Sequence, residues 1–338
     1  MELYGGIDLH SNNCVIVILD EKGEKLFQKR INNSITLIIS ALSPYKDQLQ
    51  GLVVESTFNW YWLVDSLMED GFTIHLANTA AIQQYSGLKH ADDNSDAQWL
   101  AEMLRLDILP TGYIYPKEQR MARDLMRKRM QLVQQKTKNL LSIQGLYSRH
   151  LCYKASNNSI KKLTTQQIMK DFEDPNISLA VNSSLLVMQC LKEQIVNIEK
   201  QLKKDHKLSP DFIGLTSIDG IGMTLALTIM LETGDIKRFK KVGDFASYCR
   251  CIGGARYSNG KKKGNTNSKN GNKYLAWAFV EAANFSIRYN PTVKKYYQRK
   301  LAKTNNTVAI KTVAHKLARA CFYVLRDQVD FDVEKAFC

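Results

Sequence analysis

The chain has 338 residues, of which 44% are hydrophobic and 24% are charged. This composition is typical of globular proteins and excludes disordered and fibrous classes. No uninterrupted apolar run approaches the roughly 18 residues of a membrane span, and the first residues lack the charged and apolar segments of a secretion signal. We therefore expect a soluble, cytoplasmic protein without a membrane partner. The seven cysteines are scattered without a CxxC pair, which favours reduced thiols.

The net charge of +14 and the isoelectric point near 9.3 indicate a polyanionic partner, with nucleic acid as the first candidate. This charge is unevenly distributed. Residues 1–116 contain 7 Lys and Arg against 15 Asp and Glu, a net charge of −8, whereas residues 117–210 and 211–338 carry +10 and +12. The asymmetry predicts a carboxylate-rich domain followed by two parts that bind phosphates, and carboxylates usually act on phosphates through a divalent metal.

Predicted strands alternate with predicted helices in the first 116 residues. Three short, β-branched runs predict an antiparallel meander, two further runs predict buried strands, and amphipathic segments predict helices. The predicted strands are residues 3–9, 14–19, 25–31, 51–55 and 72–77, and the predicted helices begin at Ser34, Phe58 and Asp93. This alternation predicts an α/β sandwich.

The rest of the chain is predicted to be mainly helical. Residues 117–150 and 180–207 are long, proline-free segments with apolar residues at three-to-four spacing, which predicts an antiparallel helical hairpin or coiled coil within residues 117–210. Residues 156–165 are loop-like. Residues 211–338 form the third predicted domain, which is interrupted by a Gly-, Asn- and Lys-rich loop at residues 252–273 that cannot pack into a core.

Four carboxylates of the first domain have positions that suit metal binding. Asp8 lies beside two glycines on the first strand, and Glu55 ends an apolar strand, where an unpaired carboxylate is costly. Asp93 and Asp96 lie three apart at a helix start and can reach the same point. In simpler interpretations, Asp8 is a turn residue and the other two aspartates cap the helix. Together the four suit two Mg²⁺ or Mn²⁺ ions about 3.5–4 Å apart, which clamp the attacking and leaving oxygens in phosphoryl transfer.

The segments GIDLHSNNCVIVILD, VVES and LKHADDNSDAQWLAEML resemble the ribonuclease-H-like catalytic domain of Holliday-junction resolvases. The resemblance is to the form found in DEDD-type insertion-sequence transposases, the "one-ten" family and its "one-eleven-eleven" branch. It implies that Asp8, Glu55, Asp93 and Asp96 are the catalytic carboxylates and metal ligands. Family members usually have a residue other than Asp before the D-x-x-D-A signature, so Asp92 is an alternative to Asp93.

The C-terminal region carries a second resemblance. The segment LTSIDGIGMTLA has the pattern of a helix-hairpin-helix, in which Gly220 and Gly222 let backbone N–H groups meet a phosphate, although a tight turn between core helices fits equally. The segments ETGDIKRF, DFASYCRCIGG, YSNGKKKG and KNGNKYLAWAFVEAA follow in the order of the same family's C-terminal domain.

In that family, the C-terminal domain supplies a catalytic serine that attacks DNA and forms a phosphoserine intermediate. The matching position is Ser258, with Ser268 as the alternative. From the residues alone, a serine on such a loop is a solvated linker residue, because a hydroxyl is a weak nucleophile without activation.

Basic residues surround this serine and recur near residue 297. We predict phosphate contacts for those on the loop, with a solvated charge run as the simpler interpretation. Near residue 297 the basic residues alternate with Tyr296 and Tyr297, which permits base stacking unless both tyrosines are partly buried. The predicted nucleic-acid-binding residues are Gly220, Gly222, Arg256, Lys261, Lys262, Lys263, Lys269, Lys273, Lys294, Lys295, Arg299 and Lys300.

We therefore predict a DNA transposase that mobilises an insertion sequence by metal-dependent strand cleavage and exchange. The resemblance further implies a structured guide RNA that pairs with donor and target DNA. It also implies a homo-oligomer, a dimer or tetramer with the helical hairpin as contact, in which one protomer's carboxylates meet another's serine. Two alternatives stay open: a Holliday-junction-type endonuclease that uses water, and a non-catalytic nucleic-acid-binding protein whose carboxylates are only caps and turn residues.

Overall fold

The computed structural model describes residues 1–82, 93–206, 209–265 and 270–338. The chain divides into two units, Met1–Lys117 and Glu118–Cys338. Within the described ranges, no helix has both the length and the apolar character needed to cross a membrane. All seven cysteines are free thiols.

Strands and helices alternate in the first unit. They are β1 (Leu3–Leu9), β2 (Asn13–Asp20), β3 (Lys25–Asn32), α1 (Ile35–Leu42), a 3₁₀ helix (Ser43–Gln48), β4 (Leu49–Glu55), α2 (Tyr61–Glu69), β5 (Ile74–Ala77), α3 (Thr79–Ile82), α4 (Asp93–Arg105) and β6 (Thr111–Gly112). The strands form one mixed sheet of order β3-β2-β1-β4-β5-β6. The first three strands are the predicted antiparallel meander, and β4 and β5 continue from β1 in parallel. The α/β prediction is confirmed.

The helix predicted from Phe58 begins three residues later, at Tyr61. The preceding segment is held against the loop after β1, because the side-chain amide of Asn59 donates to the backbone carbonyl of His10 at 3.0 Å. Thr57 in turn donates to the Asn59 side chain at 2.9 Å. These polar contacts compete with the first helical turn, and hydrophobic periodicity alone does not reveal them.

Alternate residues of the central strands face opposite sides of the sheet, and helices cover each side. On one side, Ile7 of β1 and Leu63 of α2 belong to the larger core. On the other side, Ala97 and Ala101 of α4 pack with Val17 of β2. The sheet is therefore the middle layer of three, with α1 and α2 on one side and α4 on the other, where Ile82 of α3 also packs.

Gly6 permits the closest approach between α4 and the sheet. A Cβ atom at this position would lie 2.0 Å from the carbonyl oxygen of Ala97 and 2.8 Å from the backbone nitrogen of Ala101. Backbone atoms of a packed helix cannot move aside cheaply, so any larger residue must displace the helix. Of the two glycines that precede Asp8 on β1, Gly6 is therefore the one that the packing of α4 requires.

The second unit is mostly helical. Its elements are α5 (Lys117–Leu151, which starts at the boundary), α6 (Asn157–Ile160), α7 (Thr165–Asp171), α8 (Pro175–His206), α9 (Pro210–Thr216), α10 (Met223–Thr233), a 3₁₀ helix (Ile236–Arg238), α11 (Val242–Tyr248), β7 (Ala255–Ser258), β8 (Lys261–Asn265), α12 (Lys273–Tyr289), α13 (Pro291–Leu301), α14 (Asn306–Asp327) and α15 (Val333–Phe337). One large core joins α9 to α15, and a smaller one lies between α5 and α8.

The long helices α5 and α8 run antiparallel. Near one end, the Arg129 guanidinium lies 2.7 Å from a carboxylate oxygen of Glu199. Towards the other end, one core contains Leu140, Ile143 and Tyr147 of α5 with Val181, Leu185 and Met188 of α8. Residue numbers rise along one helix as they fall along the other, which defines the antiparallel pairing.

Residues 156–165, predicted as a loop, contain helix α6 and the start of α7. Ser156 and Thr164 supply the side-chain N-caps of these helices, and Ile160 between them is fully buried. The loop prediction is therefore wrong for much of this segment, because polar capping residues resemble loop residues in composition.

The basic stretch at residues 252–273, also predicted as a loop, contains the antiparallel hairpin of β7 and β8. Asn259 and Gly260 occupy its turn with positive φ angles of 49° and 71°. Asn-Gly is the preferred pair for a two-residue hairpin turn of this kind, because both positions require φ above zero. Backbone hydrogen bonds between β7 and β8 give this stretch a regular structure, although it has no hydrophobic core of its own.

We predict that Gly6→Ala lowers the free energy of unfolding by about 1–3 kcal/mol, because the added methyl group overpacks the contact with α4. Gly145 in α5 is the matched control, since no atom lies within 4 Å of a Cβ atom built there. Gly145→Ala should stabilise the protein by about 0.5–1 kcal/mol. Denaturant unfolding followed by circular dichroism measures both, and wild-type stability of Gly6→Ala would contradict the close approach.

Candidate functional site

Asp8 and Glu55 lie side by side at the carboxyl ends of two parallel strands. Ile7 pairs with Val54 in the β1–β4 register, so the next residue of each strand comes next in the ladder. Ile7 and Val54 face the core under α1 and α2. Asp8 and Glu55 therefore face the opposite side, towards α4.

Helix α4 brings a third carboxylate to this place. Asp96 precedes Ala97, the residue whose carbonyl oxygen lies against Gly6. The negative charge of Asp96 is one of the influences that raise the pKa of Asp8. Asp93 is the first residue of α4 and lies three positions before Asp96. Asp92 lies outside the described residues, so the alternative between Asp92 and Asp93 stands.

The side chain of Asp8 is only 4% exposed. Burial is the largest influence on it and raises its pKa, a hydrogen bond with Glu55 raises it further, and the charges of Glu55 and Asp96 act in the same direction. His10 opposes them, and the resulting pKa is about 7. Asp8 therefore retains its proton to a higher pH than an ordinary carboxyl group, and a cation placed among the three carboxylates would replace that proton.

His10 is a member of this site that the sequence reasoning missed. Its Nε2 atom lies 3.3 Å from Oδ2 of Asp8, and its side chain is 37% exposed. The spacing of two residues was the available signal, because residues i and i+2 of an extended chain lie on the same side. The imidazole partly offsets the negative charge of the buried carboxylate.

The three described carboxylates, Asp8, Glu55 and Asp96, fit a hard divalent cation in their chemistry. They supply only oxygen ligands. Glu55 and Asp96 raise the cost of a negative charge on Asp8, which a cation would offset. Among the described side chains, no three His, Cys, Asp or Glu groups are already arranged around one point as a metal site. The residues therefore fit Mg²⁺ or Mn²⁺ by type and burial, and binding requires Asp8 to lose its proton.

Ser258 is the last residue of β7 and precedes the Asn259-Gly260 turn. It pairs with Lys261 across the hairpin, and its side chain is exposed. The hydroxyl thus lies at the end of a two-stranded projection of the second unit. Ser268, the alternative nucleophile, lies outside the described residues.

The other end of the hairpin segment is clamped to the helical core. The Arg250 guanidinium donates twice to the carbonyl oxygen of Gly271, at 2.7 and 3.0 Å. Asn272 donates through its backbone to the carbonyl oxygen of Tyr248 at 2.6 Å. Gly271 has φ of +88°, and a Cβ atom there would lie 2.5 Å from the same oxygen. These contacts hold the base of the projection that carries Ser258.

The predicted basic residues of the hairpin are distributed over both strands. Arg256 lies on β7, and Lys261, Lys262 and Lys263 lie on β8, where the side chains of the first and third of these lysines are exposed. Lys273 is exposed at the start of α12. Lys269 lies outside the described residues.

Gly220 and Gly222 lie in the turn between α9 and α10. Gly220 has φ of +95°, and a Cβ atom there would lie 2.5 Å from the backbone nitrogen of Ser286. Packing against α12 therefore explains why residue 220 is a glycine. No phosphate ligand is needed to explain it, in agreement with the interpretation of a tight turn between core helices. Gly222 is the N-cap of α10, has no side chain to cap the helix, and has open space around it, so the N–H groups that follow it suit a phosphate.

The second basic cluster lies on α13. Lys294, Lys295, Arg299 and Lys300 belong to this helix. Tyr296 is partly buried, its ring packs against Phe337 at 5.4 Å, and the charged groups of three basic residues lie within 5.7 Å of its centroid. Tyr297 is also partly buried against the core. The structure therefore favours the interpretation in which both tyrosines are partly buried rather than free to stack on bases. Lys294 and Lys295 are exposed, and their contact with phosphates stays a prediction.

Two family models match this chain. The model of IS110-type DEDD transposases, described as "Transposase", matches residues 5–150. The model described as "Transposase IS116/IS110/IS902 family" matches residues 214–298. The first match contains Asp8, Glu55 and Asp96, and the second contains Ser258 and both glycines of the α9–α10 turn.

Three curated proteins are similar to the chain. The transposase for insertion sequence element IS1111A of Coxiella burnetii is 24% identical over 310 residues, 86% of this chain and 80% of the relative. The probable family 20 transposase of Pseudomonas aeruginosa is 22% identical over 274 residues, 78% of this chain and 80% of the relative. The insertion element IS110 uncharacterized 43.6 kDa protein of Streptomyces coelicolor is 26% identical over 155 residues, 45% of this chain and only 38% of the relative.

We predict that Mn²⁺ binds about tenfold more weakly at pH 6 than at pH 8, because the proton on Asp8, with its pKa of about 7, competes with the ion. The sign follows from the raised pKa: the protonated form dominates below pH 7, and above it the carboxylate is free to bind. Isothermal titration calorimetry at both pH values measures the affinity and the proton released.

Asp8→Asn should bind Mn²⁺ weakly at every pH. Asp65→Asn, on the same unit but on α2, is the matched control and should keep the wild-type profile. Equal wild-type affinity at pH 6 and pH 8 would contradict the involvement of Asp8.

Proposed function

We propose that this chain is an insertion-sequence transposase of the IS116/IS110/IS902 family, as two family models and three relatives support, and that it cleaves and rejoins DNA with a serine nucleophile and a carboxylate-held divalent metal. Together the two family models match more than half of its residues. The observation that carries the proposal is Asp8, a residue only 3% exposed, whose carboxyl group shares a hydrogen bond with Glu55 and has its pKa raised by the charge of Asp96. A protein gains nothing in stability from such a cluster unless a cation or a reaction uses it.

The first unit would hold the metal. Its mixed sheet, with a three-stranded antiparallel start and helices on both faces, supports the ribonuclease-H-like assignment that the resemblance implies. Asp8, Glu55 and Asp96 would be ligands, with Asp93 as the fourth family carboxylate. When bound, Mg²⁺ or Mn²⁺ would polarise the scissile phosphate and stabilise the charge that develops on it. Before that, Asp8 must release its proton, and burial of its side chain keeps competing water away.

The second unit would supply the nucleophile. In the proposed step, the Oγ atom of Ser258 forms a bond to phosphorus while one backbone P–O bond breaks, and the released strand end takes up the proton. A second strand end would reverse the step, free the serine and join the new strands. Exposure of Ser258 beside a hairpin turn supports this role, because a phosphate can reach it from several directions.

Charge and surface support the nucleic-acid partners. Residues 117–210 and 211–338 carry net charges of +10 and +12, which suits long contacts with phosphate backbones. We propose donor DNA, target DNA and a structured guide RNA as partners. Sequence selection would rest on base pairing to the RNA, while the protein holds backbones.

Exposed apolar side chains on the paired long helices support a homo-oligomer. Leu179 and Leu186 of α8 are 66% and 52% exposed, and Leu141 of α5 is 57% exposed. Leu179 and Leu186 are seven residues apart and lie on one face of α8. A second copy of the same helix pair could cover this face, as expected for a dimer or tetramer.

We predict that wild-type protein with Mg²⁺ and its native element-end DNA forms a covalent protein–DNA adduct, and that Ser258→Ala forms none. Asp8→Ala should also form no adduct, because the metal site is lost, while its affinity for nucleic acid stays within about twofold, since basic residues elsewhere supply most of the binding. Denaturing gel electrophoresis of labelled DNA measures the adduct, and gel shift measures binding.

Ser247→Ala is the matched control and should form adduct at the wild-type level. An adduct formed by Ser258→Ala would transfer the role, first to Ser268. Cleavage by the wild type that leaves no protein on the DNA would identify the water-using endonuclease, and the absence of any Mg²⁺-dependent activity would identify a binding protein.

We predict that Leu186→Glu shifts the protein from oligomer to monomer, because a buried carboxylate without a partner opposes assembly. Gln194→Glu adds the same charge at an exposed polar position of α8 and should leave the assembly intact. Size-exclusion chromatography with light scattering measures the mass of both. An unchanged oligomer of Leu186→Glu would place the contact elsewhere.

A further inference from the structure

A groove of about 650 Å³ lies between α5 and the first turn of α12 in the second unit. Its α5 wall presents Lys128, Gln131 and Gln134, and its α12 wall presents Lys273, Tyr274 and Trp277. The groove thus combines cationic, amide and aromatic groups in one open channel.

The charge of this groove is positive once internal pairs are accounted for. Arg127 forms a bidentate pair with Glu232 at 2.6 and 2.7 Å, and Arg129 pairs with Glu199. Within the described part of the chain, Lys128 and Lys273 have no acidic partner, and both are exposed. Asp124 is the single acidic residue of the lining. The two ammonium groups outnumber this one carboxylate, so the described lining keeps a net positive charge and favours an anionic occupant.

Trp277 supplies an aromatic surface that other groups do not occupy. The Tyr274 ring already has the Arg127 guanidinium 4.6 Å and the Lys273 ammonium 5.2 Å from its centroid. No cation or aromatic ring in the described ranges lies over the indole of Trp277, which packs partly against the core and partly lines the groove. Aromatic side chains beside lysines are the features with which proteins bind unpaired nucleotides, since every base has a π-face.

The walls of the groove are rigidly joined. Glu232 is 1% exposed and accepts from both Arg127 of α5 and the side chain of Asn272, the latter at 2.7 Å. Asn272 also caps α12 by accepting from the backbone nitrogen atoms of residues 274 and 275. One buried network therefore positions both walls, and an occupant would meet a preorganised surface.

We propose that this groove binds an unpaired segment of a DNA strand. One base lies against Trp277, and the flanking phosphates contact Lys128 and Lys273. Bases inside a duplex present only their edges, so stacking on Trp277 requires a strand that has left its partner. The proposal rests on the proposed function, in which strands separate to be exchanged. Since Asn272 also ends the hairpin segment that carries Ser258, a strand held here lies at the base of that hairpin.

The test is fluorescence anisotropy of the full-length protein with a labelled 15-nucleotide DNA strand, the matching duplex and the RNA strand of the same sequence. Trp277→Ala should weaken binding of the DNA strand about 5- to 150-fold, the range for loss of one stacked base, and leave duplex binding within about twofold. Trp277→Phe keeps a ring and most of the core packing, and should show a smaller loss.

The lysine contact has its own variant on the surface of α5. Lys128→Gln should weaken strand binding and reduce the slope of log affinity against log salt by about 0.7, the value for one phosphate contact on a single strand. Lys138→Gln, an exposed lysine of the same helix outside the groove, is the matched control and should change strand affinity less than twofold. These surface variants test the groove even if Trp277→Ala is unstable.

Equal losses on strand and duplex, or no loss in either, would overturn the proposal. A Trp277-dependent loss confined to the RNA strand would overturn the choice of DNA. Failure of the proposed function gives a different result. If the protein forms no covalent adduct but its binding of the DNA strand depends on Trp277, the serine chemistry is refuted and strand binding in the groove is supported. If the protein forms the adduct but its binding of the DNA strand does not depend on Trp277, strand binding in the groove is refuted and the serine chemistry is supported.

Discussion

The contact of α4 with β1 at Gly6 is the constraint on which the candidate metal site depends. Helix backbone and strand backbone meet where a Cβ atom would lie 2.0 Å from a carbonyl oxygen, so only glycine allows the helix to lie this low on the sheet. That depth brings Asp96 close enough to influence Asp8 and closes the site against water. Burial in turn raises the pKa of Asp8 to about 7. The absence of a side chain at Gly6 thus sets how closely α4 packs, and this packing raises the pKa of Asp8. In the proposed mechanism, that pKa in turn affects how tightly a metal ion binds.

In the proposed mechanism, the carboxylate site and the serine have opposite structural requirements. Asp8 needs a low-dielectric setting, in which a nearby cation has a strong effect, and the centre of a three-layer unit provides it. As the proposed nucleophile, Ser258 would need access to a phosphate of a large polymer, and the end of a hairpin would provide that. The chain meets each requirement in a separate unit. This division also separates acidic from basic residues, as the net charges of −8, +10 and +12 along the chain record.

Much of the first unit could be predicted from its sequence, because hydrophobic alternation marks each strand and a resemblance marks the carboxylates. Hydrophobic patterns did not reveal polar contacts between distant segments. Asn59 donates to the backbone of His10, and α2 begins only after this contact, at Tyr61. In the second unit, Asn259-Gly260 signalled a hairpin, but the composition of the flanking residues suggested a loop. Arg127 and Glu232 are 105 residues apart, and only the folded structure pairs them.

The hairpin that carries Ser258 depends on its attachment. An isolated two-stranded hairpin is marginally stable in water, and β8 consists only of lysine, glycine and asparagine, which add little packing. Order must therefore come from the base, where Arg250 and Asn272 bind backbone groups, and from the turn, where Asn259 and Gly260 match the required φ angles. The buried Arg127–Glu232–Asn272 network ties the same base to α5. The position of the serine and the walls of the Trp277 groove thus share one support, so a strand bound in the groove and the nucleophile would be positioned by the same few hydrogen bonds.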